Sequence, residues 1–158
     1  MTKRIIHFDL DGVLADFCKG FMEIAGKRPE AFGTDDMWAY VASAPEFFLR
    51  LEVMPGTKEM LHLAASMGEV RILTAIPRKT TYPAAEDEKR QWVARHFGDI
   101  SVTVVQYARQ KADHAMPADI LIDDAEDNIR RWIRAGGIGI HYVDAVEAAD
   151  ELRRLCGP

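Results

Sequence analysis

The pattern of hydrophobic and polar positions predicts strands that alternate with helices. The first apolar run begins at Ile5 and ends at the carboxylates of Asp9 and Asp11. Later runs of strand length cover residues 69–74, 101–105, 119–122 and 138–141. Between them, apolar residues recur every three or four positions, which is helical spacing. Strands that alternate with helices in this way predict βαβ units and a parallel sheet. Because the strands are continuously apolar, we expect helices to cover both faces of that sheet.

The helical spacing predicts five longer helices and one region of different character. The helices are predicted over 14–25, 57–67, 84–97, 127–135 and 146–155. Residues 30–54 are aromatic-rich and too short to build a core of their own, with Thr34 predicted to cap a helix over 37–41. We therefore interpret approximately 17–54 as a small helical cap, inserted after the first strand of a single domain that covers 1–158.

The end of the first strand carries the first candidate chemistry. At the carboxyl end of a strand, Asp9 and Asp11 cannot both continue as core residues, so they point into the crevice where open α/β sheets bind ligands. Gly12 allows the chain to turn sharply out of the strand. An Asp-Gly turn or a fragment of a calcium loop would have the same letters. The apolar strand before the motif and the sequence V-L-A-D-F after it favour a functional site.

Polar residues follow three other predicted strands. Thr74 follows the second strand, Lys111 lies in the loop after the third, and Asp123 and Asp124 follow the fourth. All of these positions are at carboxyl ends of parallel strands, so all can converge on Asp9. Taken singly, the threonine could be a plain strand end, the lysine a solvated charge and the Asp-Asp pair a helix cap. Their common placement favours one site.

The charge of this cluster constrains its chemistry. Four carboxylates close together raise one another's pKa values unless a positive charge lies between them. One lysine is not enough, particularly for an anionic ligand, whereas Mg²⁺ binds carboxylates, water and phosphate oxygens. We therefore expect a magnesium site. Near it, a carboxylate can attack phosphorus, Lys111 can neutralise the phosphoryl group, and Thr74 can donate a hydrogen bond to it.

Composition narrows the other possibilities. The chain is 48% hydrophobic and 28% charged, as expected for a soluble globular protein. A net charge of −5 without a long Lys/Arg cluster argues against a nucleic-acid partner, and no apolar stretch is long enough to predict a membrane span. The N-terminal residues enter the first strand directly, which argues against a signal peptide. Cys18 and Cys156 fit two free thiols in a reducing compartment, so we expect a cytoplasmic protein.

The string F-D-L-D-G-V-L-A-D-F resembles the first motif of the haloacid dehalogenase (HAD) superfamily, and within it the 5'(3')-deoxyribonucleotidases. The resemblance extends to about residue 125. It includes Phe47–Gly56, the E-K-x-x-W-V helix at Glu88–Val93, Arg109-Gln110-Lys111 and Leu121-Ile122-Asp123-Asp124. The resemblance implies a Rossmann-like HAD fold with a five-stranded parallel sheet flanked by helices.

The resemblance also assigns roles. It implies that Asp9 attacks phosphorus to form an aspartyl-phosphate and that Asp11 handles the leaving-group proton. It implies that Mg²⁺ is held by the Asp9 carboxylate, the Asp11 backbone carbonyl and the Asp124 carboxylate. Asp123 would orient Lys111 from behind. Substrate-binding positions implied by the same comparison are Phe17, Trp38, Ala75 and Arg109.

The sequence therefore predicts a Mg²⁺-dependent phosphomonoesterase, with a (deoxy)nucleoside monophosphate as the expected substrate. Two departures bear on that substrate: Ala75 stands where the family usually has serine, and the segment between Phe17 and Phe47 is short. A sugar phosphate or another small phosphate ester is one alternative, and a non-catalytic phosphate-binding module is another. Phe17 and Trp38 could face a nucleobase or could only pack the cap onto the domain. A homodimer that completes the site is left open.

Overall fold

The computed structural model describes residues 3–157 as a parallel sheet with helices on both faces. The strands are β1 (Ile5–Phe8), β2 (Glu69–Ala75), β3 (Ser101–Val105), β4 (Ile120–Asp123) and β5 (Ile138–His141). The helices are α1 (Phe17–Ala25), α2 (Thr34–Ser43), α3 (Thr57–Met67), α4 (Ala85–Phe97), α5 (Glu126–Arg134) and α6 (Ala145–Cys156). Short 3-10 helices cover Pro29–Ala31, Phe48–Arg50 and Ala108–His114. Met1, Thr2 and Pro158 belong to the predicted domain but lie outside the described residues.

The sheet has the strand order β3-β2-β1-β4-β5, with every pair parallel. The first strand is therefore central: Ile6 pairs with Val70 on one side and with Ile120 on the other. The direction of strand order reverses at β1, and the crevice outside the carboxyl ends of strands at such a switch point is where open sheets bind ligands. The predicted five-stranded parallel sheet is confirmed.

Two apolar layers enclose the sheet. On one face Phe8, Ile72 and Ile122 belong to a core that includes Trp92 of α4. On the other face Leu73 and Leu121 pack with Trp132 of α5. Because neighbouring residues of a strand point to opposite faces, a continuously apolar strand supplies both layers at once. No helix in the described range 3–157 is long and apolar enough to cross a membrane.

Two predicted helix boundaries in the region 14–43 are wrong. The helix predicted from Leu14 begins only at Phe17, because the carbonyl of Leu10 accepts the amides of Val13, Leu14 and Ala15 in a tight turn. The second helix begins at Thr34 itself, after Gly33, and its first turn has no side-chain cap. Hydrophobic spacing located both helices but could not locate these ends, which depend on local backbone hydrogen bonds.

Candidate active site

A compact turn after β1 presents the first carboxylates. Pairing of β1 continues one residue past the strand, because the Asp9 amide donates to the Ile122 carbonyl at 2.9 Å. The chain then turns through Gly12, whose φ is +82°, a conformation that favours glycine. A Cβ atom at this position would also collide with the carboxylate of Asp124. Gly12 therefore makes room for the second acidic strand end beside the first.

Three carboxylates meet where β1 and β4 end. One oxygen from each of Asp9, Asp123 and Asp124 lies within 4.8 Å of the others. Asp123 is completely buried, and its oxygens accept hydrogen bonds from the Ala125 amide at 2.8 Å and from Asn128 at 3.0 Å. Since the protein already uses the oxygens of Asp123, the cluster offers Asp9 and Asp124 for a ligand.

Lys111 is the cation buried within this cluster. It lies in the 3-10 helix after β3 and is 2% exposed. Its Nζ is 2.7 Å from Asp9 Oδ1 and 2.7 Å from Asp123 Oδ2. Burial lowers the pKa of Lys111, but the carboxylates of Asp9 and Asp123 more than reverse this and raise it above its ordinary value. The lysine is therefore positively charged and fixed between the two strand ends.

The acidic groups have raised pKa values. Burial, followed by the negative charge of Asp123, raises the pKa of Asp9 to about 8. Asp124 has a more exposed side chain, and partial desolvation, followed by the charge of Asp123, raises its pKa to about 6. The cluster therefore holds more negative charge than Lys111 can balance. Hard oxygen donors with excess negative charge suit a divalent cation such as Mg²⁺, which would satisfy the cluster.

A cavity of about 460 Å³ opens over the carboxylates. Asp9, Asp11, Lys111 and Asp124 lie at one end, and Phe17, Met37, Trp38 and Ile76 contribute apolar walls. Phe17 and Trp38 touch each other edge to face, with ring centroids 6.1 Å apart. Phe17 also packs on Phe47, at 5.4 Å between centroids. Both aromatic residues therefore line the cavity, and Phe17 also joins α1 to Trp38 of α2 and to Phe47.

The other predicted binding residues occupy different places. Ala75 lines the cavity. Thr74 is 1% exposed and lies behind the cavity wall, where its hydroxyl is 3.3 Å from the Ala75 carbonyl. The structure does not bring Arg109 to the cavity: this exposed side chain lies over the ring of Tyr107, 4.5 Å from its centroid. Arg109 would have to leave that ring to meet a substrate.

A second buried lysine was missing from the predicted site. Lys89 of α4 is 1% exposed, and its Nζ lies 2.6 Å from Asp11 Oδ2. The sequence around it is rich in charge, which is typical of a solvated helix face. Its spacing from Ala85, Trp92 and Val93, however, places it on the buried face of α4. That spacing could have identified Lys89 as buried, but not as a neighbour of Asp11.

A family model described as "5' nucleotidase, deoxy (Pyrimidine), cytosolic type C protein" matches residues 27–154. The match begins after Asp9 and Asp11. The chain is 28% identical over 144 residues to a human cytosolic-type 5'(3')-deoxyribonucleotidase, covering 77% of this chain and 70% of that protein. It is 26% identical over 141 residues to a mouse mitochondrial 5'(3')-deoxyribonucleotidase, covering 75% and 63%. The chain thus spans only about two thirds of the length of these curated relatives.

Solved structures show the same fold at low identity. A haloacid dehalogenase-like family hydrolase from Xanthomonas campestris superposes with a TM-score of 0.62 at 14% identity, covering 98% of this chain and 96% of that chain. The L-2-haloacid dehalogenase from Xanthobacter autotrophicus gives 0.58 at 11% identity, covering 100% and 84%. These likenesses confirm the fold that the sequence motifs implied.

Proposed function

Because this chain belongs to the family of deoxy (pyrimidine) 5' nucleotidases of cytosolic type C, and is thus a phosphomonoesterase of the HAD superfamily, we propose that it hydrolyses (deoxy)nucleoside monophosphates. The proposed reaction requires Mg²⁺ and passes through an aspartyl-phosphate. The observation that carries it is the meeting of Asp9, Lys111 and Asp124 at the end of an aromatic-walled cavity. The cytosolic-type human relative and two free cysteines favour a cytoplasmic location.

The acidic strand ends supply the nucleophile and the metal ligands. Asp9 is the proposed nucleophile, since a carboxylate at this position faces a phosphoryl group bound in the cavity. Its carboxylate, that of Asp124 and the backbone carbonyl of Asp11 would hold Mg²⁺. The ion would supply charge neutralisation for the phosphoryl oxygens. Lys111 neutralises charge from the other side, held in place by Asp123.

Asp11 is the proposed general acid and base. When the bond between phosphorus and the ester oxygen breaks, the ester oxygen takes a proton from Asp11. Water then attacks the aspartyl-phosphate and gives a proton back to Asp11, which releases inorganic phosphate and regenerates Asp9. Thr74 is a weaker candidate for direct contact with the phosphoryl group, because its hydroxyl lies behind the wall.

We propose that the cap segment recognises the leaving group. Residues 17–54 contribute Phe17 and Trp38 to the cavity wall, and flat aromatic faces can stack on a nucleobase. Ala75, also on the wall, offers no hydroxyl group to a bound substrate. We propose that this aromatic wall favours nucleosides over small polar sugars as the leaving group.

Release of inorganic phosphate from a panel of substrates tests the proposal. The panel contains ribo- and deoxyribonucleoside 5'- and 3'-monophosphates, sugar phosphates and an aryl phosphate, each assayed with Mg²⁺ and with excess EDTA. Nucleotides should give the highest kcat/KM, EDTA should stop turnover, and Asp9→Asn should be inactive. A matched control is Asp127→Asn, an exposed aspartate paired with Arg130. If the protein prefers sugar phosphates, the proposed nucleotide substrate is wrong. If it remains active in excess EDTA, the proposed requirement for Mg²⁺ is wrong.

A further inference from the structure

Lys89 is a buried lysine behind the candidate active site, and its ammonium group contacts three protein groups. Its Nζ donates to Asp11 Oδ2 at 2.6 Å, to the Ala75 carbonyl at 2.7 Å and to Thr74 Oγ1 at 3.2 Å. A lysine ammonium group has three N–H donors. All three are therefore used by the protein, and none is available for a phosphoryl oxygen.

Lys111 differs from Lys89 in its position relative to the cavity and in the number of its donors that the protein uses. It lines the cavity, and its two ion pairs with Asp9 and Asp123 use two of its three donors. Lys89 is not among the cavity-lining residues. The two buried lysines are therefore not equivalent: Lys111 can touch a substrate, whereas Lys89 can act on one only through the groups it holds.

The two oxygens of Asp11 have different surroundings. Oδ2 receives the hydrogen bond from Lys89, whereas Oδ1 is buried and has no hydrogen-bond partner within residues 3–157. Asp11 itself lines the cavity. Because Oδ1 has no partner, the hydrogen bond from Lys89 to Oδ2 is the contact that orients the Asp11 carboxylate within residues 3–157.

Contacts between α4 and residues 48–51 hold Lys89 in place. The neighbouring Glu88 is buried and accepts a hydrogen bond from the Phe48 amide at 3.1 Å. One turn further along α4, Trp92 donates to the Leu51 carbonyl at 2.8 Å. The ammonium group of Lys89 also lies over the ring of Phe48, 4.7 Å from its centroid. These contacts fix α4 to the segment that returns from the cap, and so fix where Lys89 can place Asp11.

We propose that Lys89 is a positioning residue: through its hydrogen bond to Oδ2 it holds the Asp11 carboxylate in the orientation from which that group exchanges a proton with the leaving group. This rests on the proposed phosphomonoesterase function. In the step concerned, the ester oxygen keeps the electron pair of the breaking P–O bond and takes a proton from Asp11. Misplacing a proton donor hurts most when the leaving group is a poor one, since a stable leaving group departs without protonation.

The first test compares two leaving groups in Lys89→Met, which keeps the length of the side chain and removes its donors. For a nucleoside monophosphate, kcat/KM should fall by at least about tenfold, and for p-nitrophenyl phosphate by less than about threefold. The ratio kcat/KM contains only the steps up to departure of the leaving group, whereas the later attack of water, which also uses Asp11, is common to both substrates. Arg90→Met, which removes an exposed cation from the next position of α4, is the matched control and should leave both rates unchanged. Equal losses of kcat/KM on both substrates overturn the proposal.

A double-mutant cycle tests whether Lys89 acts through Asp11. With the nucleotide, Asp11→Asn combined with Lys89→Met should be no slower than Asp11→Asn alone, because the group being positioned is already lost. Additive losses overturn the proposal. Circular dichroism and thermal melting verify folding of each variant. If Lys89→Met does not fold, Lys89→Gln, which retains a shorter donor, carries the same comparison. A wild type that hydrolyses neither substrate overturns the proposed function, whereas an active wild type with equal losses overturns only the role of Lys89.

Discussion

Binding of Mg²⁺ to the carboxylate cluster should become much tighter between pH 6 and pH 8. In the metal-free protein, burial and neighbouring carboxylates raise the pKa of Asp9 to about 8 and that of Asp124 to about 6. Carboxylates must lose their protons to bind a metal. Mg²⁺ should therefore compete with protons for these carboxylates between pH 6 and pH 8. At ordinary aspartates this competition would occur at about pH 4.

The size of the effect follows from the ionised fractions. At pH 6, about one Asp9 carboxyl in a hundred and about half of the Asp124 carboxyls are ionised. At pH 8, about half of the Asp9 carboxyls and nearly all of the Asp124 carboxyls are ionised. The fraction with both groups ionised rises about a hundredfold, and the dissociation constant of Mg²⁺ should fall by about the same factor. At pH 7, binding should release about one proton per ion.

Isothermal titration calorimetry at pH 6, 7 and 8 measures the dissociation constant. Repeating the pH 7 titration in two buffers with different ionisation enthalpies counts the protons released. Asp124→Asn should weaken binding and reduce the pH dependence, whereas the control Asp127→Asn, with its exposed side chain outside the cluster, should behave as the wild type. A dissociation constant that changes by less than about twofold from pH 6 to pH 8, without proton release, would refute the reasoning.

Three further predictions concern single residues and one pair. Because the pKa of Asp9 is raised in the folded state, the free energy of unfolding falls as the pH rises from about 4 to about 8. The metal-free Asp9→Asn variant should therefore melt at least about 5 °C above the wild type at pH 8. An unchanged melting temperature would contradict the raised pKa of Asp9. Lys111→Met should raise KM and lower kcat for all phosphate esters, because both ion pairs and the cavity contact are lost. If the variant has wild-type kinetics, the charge of Lys111 takes no part in the reaction. Phe17→Ala combined with Trp38→Ala should raise KM for nucleotides more than for p-nitrophenyl phosphate, and an unchanged ratio of the two would mean that these rings only pack the cap.

Much of the fold followed from the sequence because strands and helices have simple periodicities. The strands beginning at Glu69, Ser101 and Ile138 begin where the apolar runs predicted. The start of α1 did not follow, because the Leu10 carbonyl accepts three amides in the preceding turn and delays the helix to Phe17. Apolar spacing cannot reveal such a turn, since Leu14 is buried whether or not it is helical.

The candidate site was predicted only where it lies at strand ends. Asp9, Lys111 and Asp124 come together because parallel strands end at the same edge, and this geometry can be inferred from element order alone. Lys89 reaches Asp11 from the side of a helix. Finding it would have required the knowledge that α4 turns this face towards β1, which depends on packing between elements distant in the chain.

The central position of β1 affects how the chain is made. Of the five strands this one is synthesised before the others, yet its pairing with β4 joins Ile6 to Ile120, so more than a hundred residues must be added before its second edge is covered. Until then the nascent chain presents an apolar strand with open hydrogen-bonding groups, which is a surface prone to intermolecular pairing. Contacts of such long sequence separation also slow folding. A chaperone that covers this edge until β4 has been made would reduce such pairing.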